Sequence, residues 1–98
     1  MTLHKDPEEN ETRQLQGIVP WSGKRVLEIG CGNGRLTWRY AHLAQAVVGI
    51  DLDLSDLLNA HRERARHADA GATFVLADAQ ALPFPDGSFD VAVLSWSF

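Results

Sequence analysis

The sequence has few or none of the features that define several large classes of protein. Its single cysteine, Cys31, cannot form an internal disulfide or assemble a thiolate zinc site alone. No apolar run approaches the roughly 18–20 residues needed to cross a bilayer. The first ten residues, MTLHKDPEEN, contain no apolar stretch of the signal-peptide kind. These absences predict a small, soluble, cytoplasmic domain.

Positive charge is also scarce. Nine Lys and Arg stand against 13 Asp and Glu, for a formal net charge of −4, and a nucleic-acid module normally carries a basic face. The four histidines show no metal-ligand spacing with acids or with the thiol, so no metal site is predicted. Apolar side chains are plentiful, at 45% of the 98 residues, which is enough for one packed core.

The chain divides by composition into two parts. Residues 1–22 are mostly polar, and Asp6 followed by Pro7 has the pattern of a helix start. We therefore expect an acidic helix to about Gln16, or alternatively a mobile tail; as a helix it would be placed to act as a lid. Residues 23–98 have the pattern of the folded domain.

Short apolar runs alternate with helical patterns in this second part. The predicted strands are 25–29, 46–50, 73–76 and 89–94, and the predicted helices are 35–45 and 54–70. In the first helix Leu36, Tyr40 and Leu43 are expected to face the core. In the second, capped by Asp53, the predicted inner stripe is Leu54, Leu57, Leu58, His61 and Ala65.

Alternating elements with continuous apolar strands predict an α/β fold, with a parallel sheet covered by helices. Right-handed crossovers give the strand order 3-2-1-4, a Rossmann-like arrangement. The sequence ends soon after the fourth strand, with Trp96 and Phe98. We expect a domain truncated after that strand, whose exposed edge would favour pairing with a second copy.

Three acids and a glycine turn occupy related positions after the predicted strands. Glu28 lies just before the turn GCGNG (residues 30–34), Asp51 ends the second strand, and Asp78 follows the third. Glycines let the backbone turn tightly and let a ligand approach it. An acid about 20 residues beyond such a turn can accept the hydroxyl protons of a ribose. The pattern therefore predicts a ligand that contains a nucleoside.

The details argue against a phosphorylated nucleoside. A dinucleotide fingerprint needs its third glycine at the sixth place, where this chain has Arg35. The carboxylate of Glu28 would repel a pyrophosphate, and the turn lacks the lysine of a phosphate-binding loop. We expect a ligand with a ribose and a cationic group. A nicotinamide-dependent oxidoreductase is kept as a weaker alternative.

Two segments resemble a known family. The first, VLEIGCGNG (residues 26–34), is similar to the first motif of class I S-adenosylmethionine-dependent methyltransferases. The second, DAQALPFPDGSFDV (residues 78–91), is similar to a segment typical of their type 11 branch. The resemblance covers about residues 23–96. It implies S-adenosylmethionine as cofactor and a small molecule as methyl acceptor, attacked in line at the sulfonium methyl group.

The resemblance also implies roles for individual residues. Backbone groups of Gly30, Cys31 and Gly32 would face the methionine part and the ribose. Glu28 would lie near the methionine ammonium group, and Ser95 would offer it a backbone carbonyl.

The remaining implied contacts are with the nucleoside. Asp51 would accept the ribose hydroxyls, Leu52 would pack on the adenine, and Asp78 with the Ala79 backbone would contact its amino edge. No catalytic base is assigned. Because the family's sheet normally has seven strands, the alternative is a catalytically inactive remnant or a partner-dependent binding module.

Overall fold

Five short strands and two short helices make up the part of the chain that the structure describes. In the computed structural model this part is residues 21–95, together with the backbone of residues 2–6. The strands are β1 (Thr2–Asp6), β2 (Arg25–Ile29), β3 (Ala46–Asp51), β4 (Ala72–Leu76) and β5 (Val91–Ser95). The helices are α1 (Thr37–Tyr40) and α2 (Leu54–Arg62), which continue as 3-10 turns at Ala41–Leu43 and Glu63–Arg66.

The strands form one parallel sheet in the order β1-β5-β2-β3-β4. The four strands predicted from the sequence are β2 to β5, and the predicted order 3-2-1-4 is confirmed. Strand β2 lies in the middle of the sheet, where Val26 and Leu27 are both fully buried although they point to opposite faces. Burial on both faces explains why the strand has a continuous apolar run.

The first strand was not expected from the sequence. It runs parallel to β5, with Thr2 opposite Val91 and Asp6 opposite Ser95. Because β5 is hydrogen-bonded to β2 on one side and to β1 on the other, the expectation of an exposed edge on this strand is wrong. Pairing of two copies through that edge would require β1 to leave it. The helix expected up to Gln16 lies outside the described residues.

The core fills the space between one face of the sheet and the α1 region. Its buried members are Trp21, Val26, Leu36, Tyr40, Ala41, Val47, Ala72, Val91 and Val93. The indole of Trp21 stacks on the ring of Tyr40, with ring centroids 4.4 Å apart. Burial of each large side chain contributes roughly 1.5–3 kcal/mol to the free energy of unfolding, so this cluster fixes α1 against the sheet.

The first helix is shorter than its predicted span. Regular α-helix ends at Tyr40, and the tighter 3-10 turn that follows rotates the later side chains away from the expected face. Leu36 and Tyr40 are buried as predicted, whereas Leu43 is exposed.

The predicted cap of the second helix is confirmed, since Asp53 Oδ1 accepts a hydrogen bond from the Asp56 amide at 3.1 Å. Its predicted inner stripe is mostly wrong. Leu57 and Ala60 form the buried face, whereas Leu54 and Leu58 are exposed. His61 and Ala65, the other members of the stripe, are also exposed. The helix lies over β4 and β3 near the sheet edge, so its contact face is narrow. Neither helix of the described residues combines the length and the apolar character needed to cross a bilayer.

Candidate functional site

The carboxyl ends of the parallel strands meet at one edge of the sheet, and the loops that follow them form the candidate site. Strands β2 and β5 are neighbours there. Glu28 lies opposite Val93, although the two residues are 65 positions apart in the sequence. From β2 the chain continues to β3 and β4 on one side, and it then returns across the sheet to form β5 on the other side of β2. Such a switch point opens a crevice in which ligands of α/β sheets bind.

The glycine turn after β2 approaches β5 closely. Gly30 has a φ of 77°, and a Cβ built on it would lie 2.5 Å from the carbonyl oxygen of Ser95. Only glycine fits at this position. The amides of Gly30 and Cys31 both donate to the carbonyl of Ile50, at 2.9 and 3.1 Å. The turn is therefore fixed to β3 and presents bare peptide to the crevice.

Asp51 connects the glycine turn to the loop after β3. Its Oδ2 accepts a hydrogen bond from the Gly32 amide at 2.8 Å, and its Oδ1 accepts one from the Asp53 amide at 2.9 Å. The side chain is partly exposed. Because each carboxylate oxygen has a second lone pair, Asp51 retains the capacity to accept the two hydroxyl groups of a ribose.

A hollow of about 250 Å³ opens beside Asp51. Five of the predicted site residues line it, namely Gly30, Asp51, Leu52, Asp78 and Ala79. Leu52 is 70% exposed, which leaves an apolar surface beside the hollow. The carboxylate of Asp78 accepts a hydrogen bond from the Gln80 amide at 2.8 Å, which orders the loop after β4.

A second hollow, of about 150 Å³, lies on the other side of the glycine turn. The predicted residues Cys31, Gly32 and Ser95 line it. Its wall also contains residues to which the sequence analysis gave no binding role: Asn33, Arg35, Leu36 and Asp56. Burial, followed by the negative charges of Glu28 and Asp51, raises the pKa of the Cys31 thiol far above its usual range. Cys31 therefore stays protonated and is a poor nucleophile.

Glu28 lines neither hollow because it is completely buried within β2. Its Oε1 accepts two hydrogen bonds, from the Thr37 hydroxyl at 2.9 Å and from the Tyr40 hydroxyl at 2.6 Å. Its Oε2 has no hydrogen-bond partner in the part of the chain that the structure describes. Burial raises the pKa of Glu28 to about 7, although contacts with Tyr40, Thr37 and Ser95 and the charge of Arg35 oppose the shift.

The predicted residues thus fall into three places at the same end of the sheet. Five line the first hollow, three line the second, and Glu28 is buried beside α1. Sequence reasoning missed the two hydroxyl donors, Thr37 and Tyr40. The sequence did contain a signal for them: two hydroxyl residues three positions apart, in a helix that directly follows the glycine turn, share one helix face. Among residues 21–95, no cluster of three or more His, Cys, Asp and Glu side chains is arranged to hold a metal ion.

Comparison with known proteins identifies the class. A family model described as a methyltransferase domain matches residues 26–98. The fatty-acid O-methyltransferase of Mycolicibacterium smegmatis is 47% identical over 72 residues, which are 72% of this chain and 26% of that protein. A ubiquinone/menaquinone biosynthesis C-methyltransferase of Dinoroseobacter shibae is 35% identical over 85 residues, or 84% of this chain and 34% of that protein.

The solved structures agree. An S-adenosylmethionine-dependent methyltransferase from Mesorhizobium loti aligns with a TM-score of 0.66 and 34% identity, over 87% of this chain and 38% of that one. The chain therefore belongs to the methyltransferase domain family, and the expected resemblance is confirmed. It spans about a quarter to a third of the length of the curated relatives described above.

The cofactor of this family is S-adenosylmethionine, and the residues present fit it. The turn at Gly30 leaves no space for a Cβ and exposes its peptide groups. Asp51 retains acceptor capacity toward a ribose, and Glu28 keeps one buried oxygen without a donor. These features suit a nucleoside that carries a cationic amino acid part.

Proposed function

We propose that this chain is the S-adenosylmethionine-binding part of a methyltransferase that acts on a small-molecule acceptor. The observation that carries the proposal is the glycine turn, where bare peptide lies against the Ser95 carbonyl between two carboxylates, Glu28 and Asp51. S-adenosylmethionine, when bound, supplies a methyl group on a positively charged sulfonium. The protein then contributes mainly proximity and orientation, because sulfonium is already a good leaving group.

The first hollow is the proposed adenosine site. Asp51 accepts the ribose hydroxyls while the Gly32 amide holds the carboxylate in place. The exposed face of Leu52 packs on the adenine ring, and Asp78 with the backbone of Ala79 meets its amino edge. The hollow measures about 250 Å³, close to the lower end of the roughly 300–1,000 Å³ typical of small-molecule sites.

The second hollow is the proposed site of the methionine part. Its floor is the peptide of Cys31 and Gly32, and Ser95 forms part of its wall. The carboxylate of Glu28 is the proposed partner of the ammonium group; because it is buried and lines neither hollow, the groups that cover it must shift when the cofactor binds. A buried carboxylate is stabilised in its charged form by a cation within about 4–6 Å.

The same charges disfavour the nicotinamide alternative. Asp56 adds a further carboxylate to the second hollow, which Arg35 also lines. A pyrophosphate placed at the turn would lie close to the charges of Glu28, Asp51 and Asp56. The absence of phosphate from S-adenosylmethionine removes this repulsion.

The nature of the acceptor remains part of the proposal. The relatives compared above are named for a fatty acid and for quinone biosynthesis, one methylated on oxygen and the other on carbon. We infer a small organic acceptor and assign no catalytic base. The cytoplasmic location remains a prediction from the sequence, and so does the association of two copies, although the β5 edge expected to mediate it is occupied by β1.

Calorimetric titration with S-adenosylhomocysteine tests the proposal. We expect one site per chain, with binding reduced at least tenfold by Asp51→Ala. The matched control is Asp69→Ala, which removes an exposed carboxylate just before β4, at the opposite end of the strands from the site, and should leave affinity unchanged. Circular dichroism must show that each protein is folded. A folded wild-type chain that binds NAD but not S-adenosylhomocysteine would contradict the proposal.

Transfer of a labelled methyl group separates the two forms of the proposal. An active domain transfers label to an added small acceptor. A catalytically inactive remnant, or a module that needs a partner, binds the cofactor without turnover.

A further inference from the structure

Two hydroxyl groups of α1 converge on one atom of Glu28. Thr37 and Tyr40 are three residues apart and therefore lie on the same face of the helix. Their hydroxyls donate to Oε1 at 2.9 and 2.6 Å, and all three side chains are completely or almost completely buried. The two bonds fix both the position and the rotation of the carboxylate.

The arrangement leaves the two oxygens of Glu28 unequal. Oε1 has two donors, whereas no donor meets hydrogen-bond geometry at Oε2 in the described part of the chain, although the Ser95 side chain also interacts with the carboxyl group. Buried polar atoms without partners are rare in folded proteins, and each one needs an explanation. A ligand that brings a donor to Oε2 supplies that explanation.

We propose that Thr37 and Tyr40 are positioning residues that hold Glu28 with only Oε2 left for the ammonium group of the cofactor. This inference rests on the proposed function. Neither hydroxyl touches the cofactor itself, since both are directed at Oε1. The two residues thus make the site select a cationic amino acid part over a neutral one.

The packing around Tyr40 explains how its hydroxyl fixes the carboxylate of Glu28 in position. Its ring is stacked on Trp21, with an interplanar angle of 17°, and the side chain is 1% exposed. The hydroxyl therefore cannot turn toward water. A donor fixed in advance loses little entropy when the ligand binds.

Other charged and titratable groups near Glu28 bear on its response to pH. Arg35, in the loop before α1, stabilises the negative charge of Glu28, and that charge in turn helps to raise the pKa of the Cys31 thiol. The Ser95 side chain on β5 also contacts the carboxyl group. On the neighbouring strands, Gly49 and Val93 are opposite Glu28, and His4 of β1 occupies the same register row as Val93.

The test compares two ligands on the same variants. S-adenosylhomocysteine has the ammonium group, whereas 5′-methylthioadenosine has the adenosine and the thioether without it. Tyr40→Phe keeps the stacked ring and removes the hydroxyl. We expect about tenfold weaker binding of S-adenosylhomocysteine and less than a twofold change for 5′-methylthioadenosine.

Threonine variants provide the second measurement and its controls. Thr37→Val should show the same selective loss, and Thr37→Ser, which keeps the hydroxyl, should restore affinity. Thr73→Val changes an exposed threonine of β4 and should have no effect. If Tyr40→Phe fails to fold, the comparison of Thr37→Val with Thr37→Ser decides the question.

The pH dependence of S-adenosylhomocysteine affinity provides a further test, because a purely structural role of Tyr40 would not change it. Affinity of the wild-type chain for S-adenosylhomocysteine should rise as pH increases through about 7, because the ammonium group binds the ionised carboxylate. Tyr40→Phe removes a donor that favours ionisation, so its midpoint should move to higher pH.

Equal loss of both ligands in Tyr40→Phe, or no loss of either, would overturn the inference while the proposed function stands. A folded wild-type chain that binds neither ligand would instead refute the proposed function, and this inference with it.

Discussion

Replacement of Glu28 by glutamine should make the protein more stable at neutral and alkaline pH. Glutamine has nearly the same shape, and its carbonyl oxygen can still accept the hydrogen bonds from Thr37 and Tyr40. The change therefore removes the buried charge and keeps the packing. This outcome is unusual, because most substitutions of fully buried residues destabilise a protein.

The size of the effect follows from the pKa of Glu28. Burial raises it from 4.5 to about 7, and each unit corresponds to about 1.4 kcal/mol. Below pH 4.5 the carboxyl group is protonated in both the folded and the unfolded chain, so it contributes no penalty. Between pH 4.5 and 7 the folded chain binds the extra proton, so the free energy of unfolding falls as pH rises. Above pH 7 the full penalty, about 3 kcal/mol, destabilises the wild-type fold.

Urea unfolding of both proteins at intervals from pH 4.5 to 8.5 measures this difference. The two free energies of unfolding should be similar near pH 4.5 and should separate as pH increases, with Glu28→Gln the more stable. Because all other groups titrate alike in both proteins, the difference isolates Glu28. Asp86→Asn, a change at an exposed acid, is the control and should show no such separation. A constant difference across the range would refute the assignment of a buried, charge-bearing Glu28.

Three further predictions concern residues around and away from the site. Gly30→Ala should lower the free energy of unfolding by more than about 2 kcal/mol, because its φ is positive and the added Cβ would meet the Ser95 carbonyl; urea titration measures this, and an unchanged midpoint would contradict it. Cys31 should react with a thiol reagent such as dithionitrobenzoate only after unfolding, since burial raises its pKa; rapid labelling of the folded chain would contradict the placement of the thiol. Asp90→Asn should reduce stability at pH 7, because bonds from Arg25 lower the Asp90 pKa to about 2. That deficit should shrink as pH falls from 3.8 toward 2, where the wild-type carboxylate also becomes protonated, and a deficit unchanged at pH 2 would exclude this cause.

The sequence was most informative where local pattern and burial agree. The runs that became β2 to β5 could be found because strands covered on both faces need continuous apolar residues. Glu28, Gly30 and Asp51 could be chosen because the chemistry of a ribose and a cation needs those residue types after parallel strands.

Other features depend on tertiary contacts that no local pattern records. β1 contains only one large apolar side chain, Leu3, and is a strand because β5 pairs with it. The predicted inward faces failed at Leu43 and Leu58, since a 3-10 turn and a narrow contact at the sheet edge decide which side chains are covered. The role of Tyr40 could not be predicted because it depends on the hydrogen bond from its hydroxyl to Glu28, which forms only when α1 packs over β2.

The pairing of β1 with β5 also has a consequence for the order of events in folding. Partners such as Thr2 and Val91 are 89 positions apart in the sequence, so synthesis must reach β5 before the first strand can pair with it. Contacts over such separations require a large loop to close and form slowly. During translation β1 has no strand to pair with until Val91–Ser95 has left the ribosome. Among the strands described, the β1–β5 pair, with Asp6 opposite Ser95, is then the last to form.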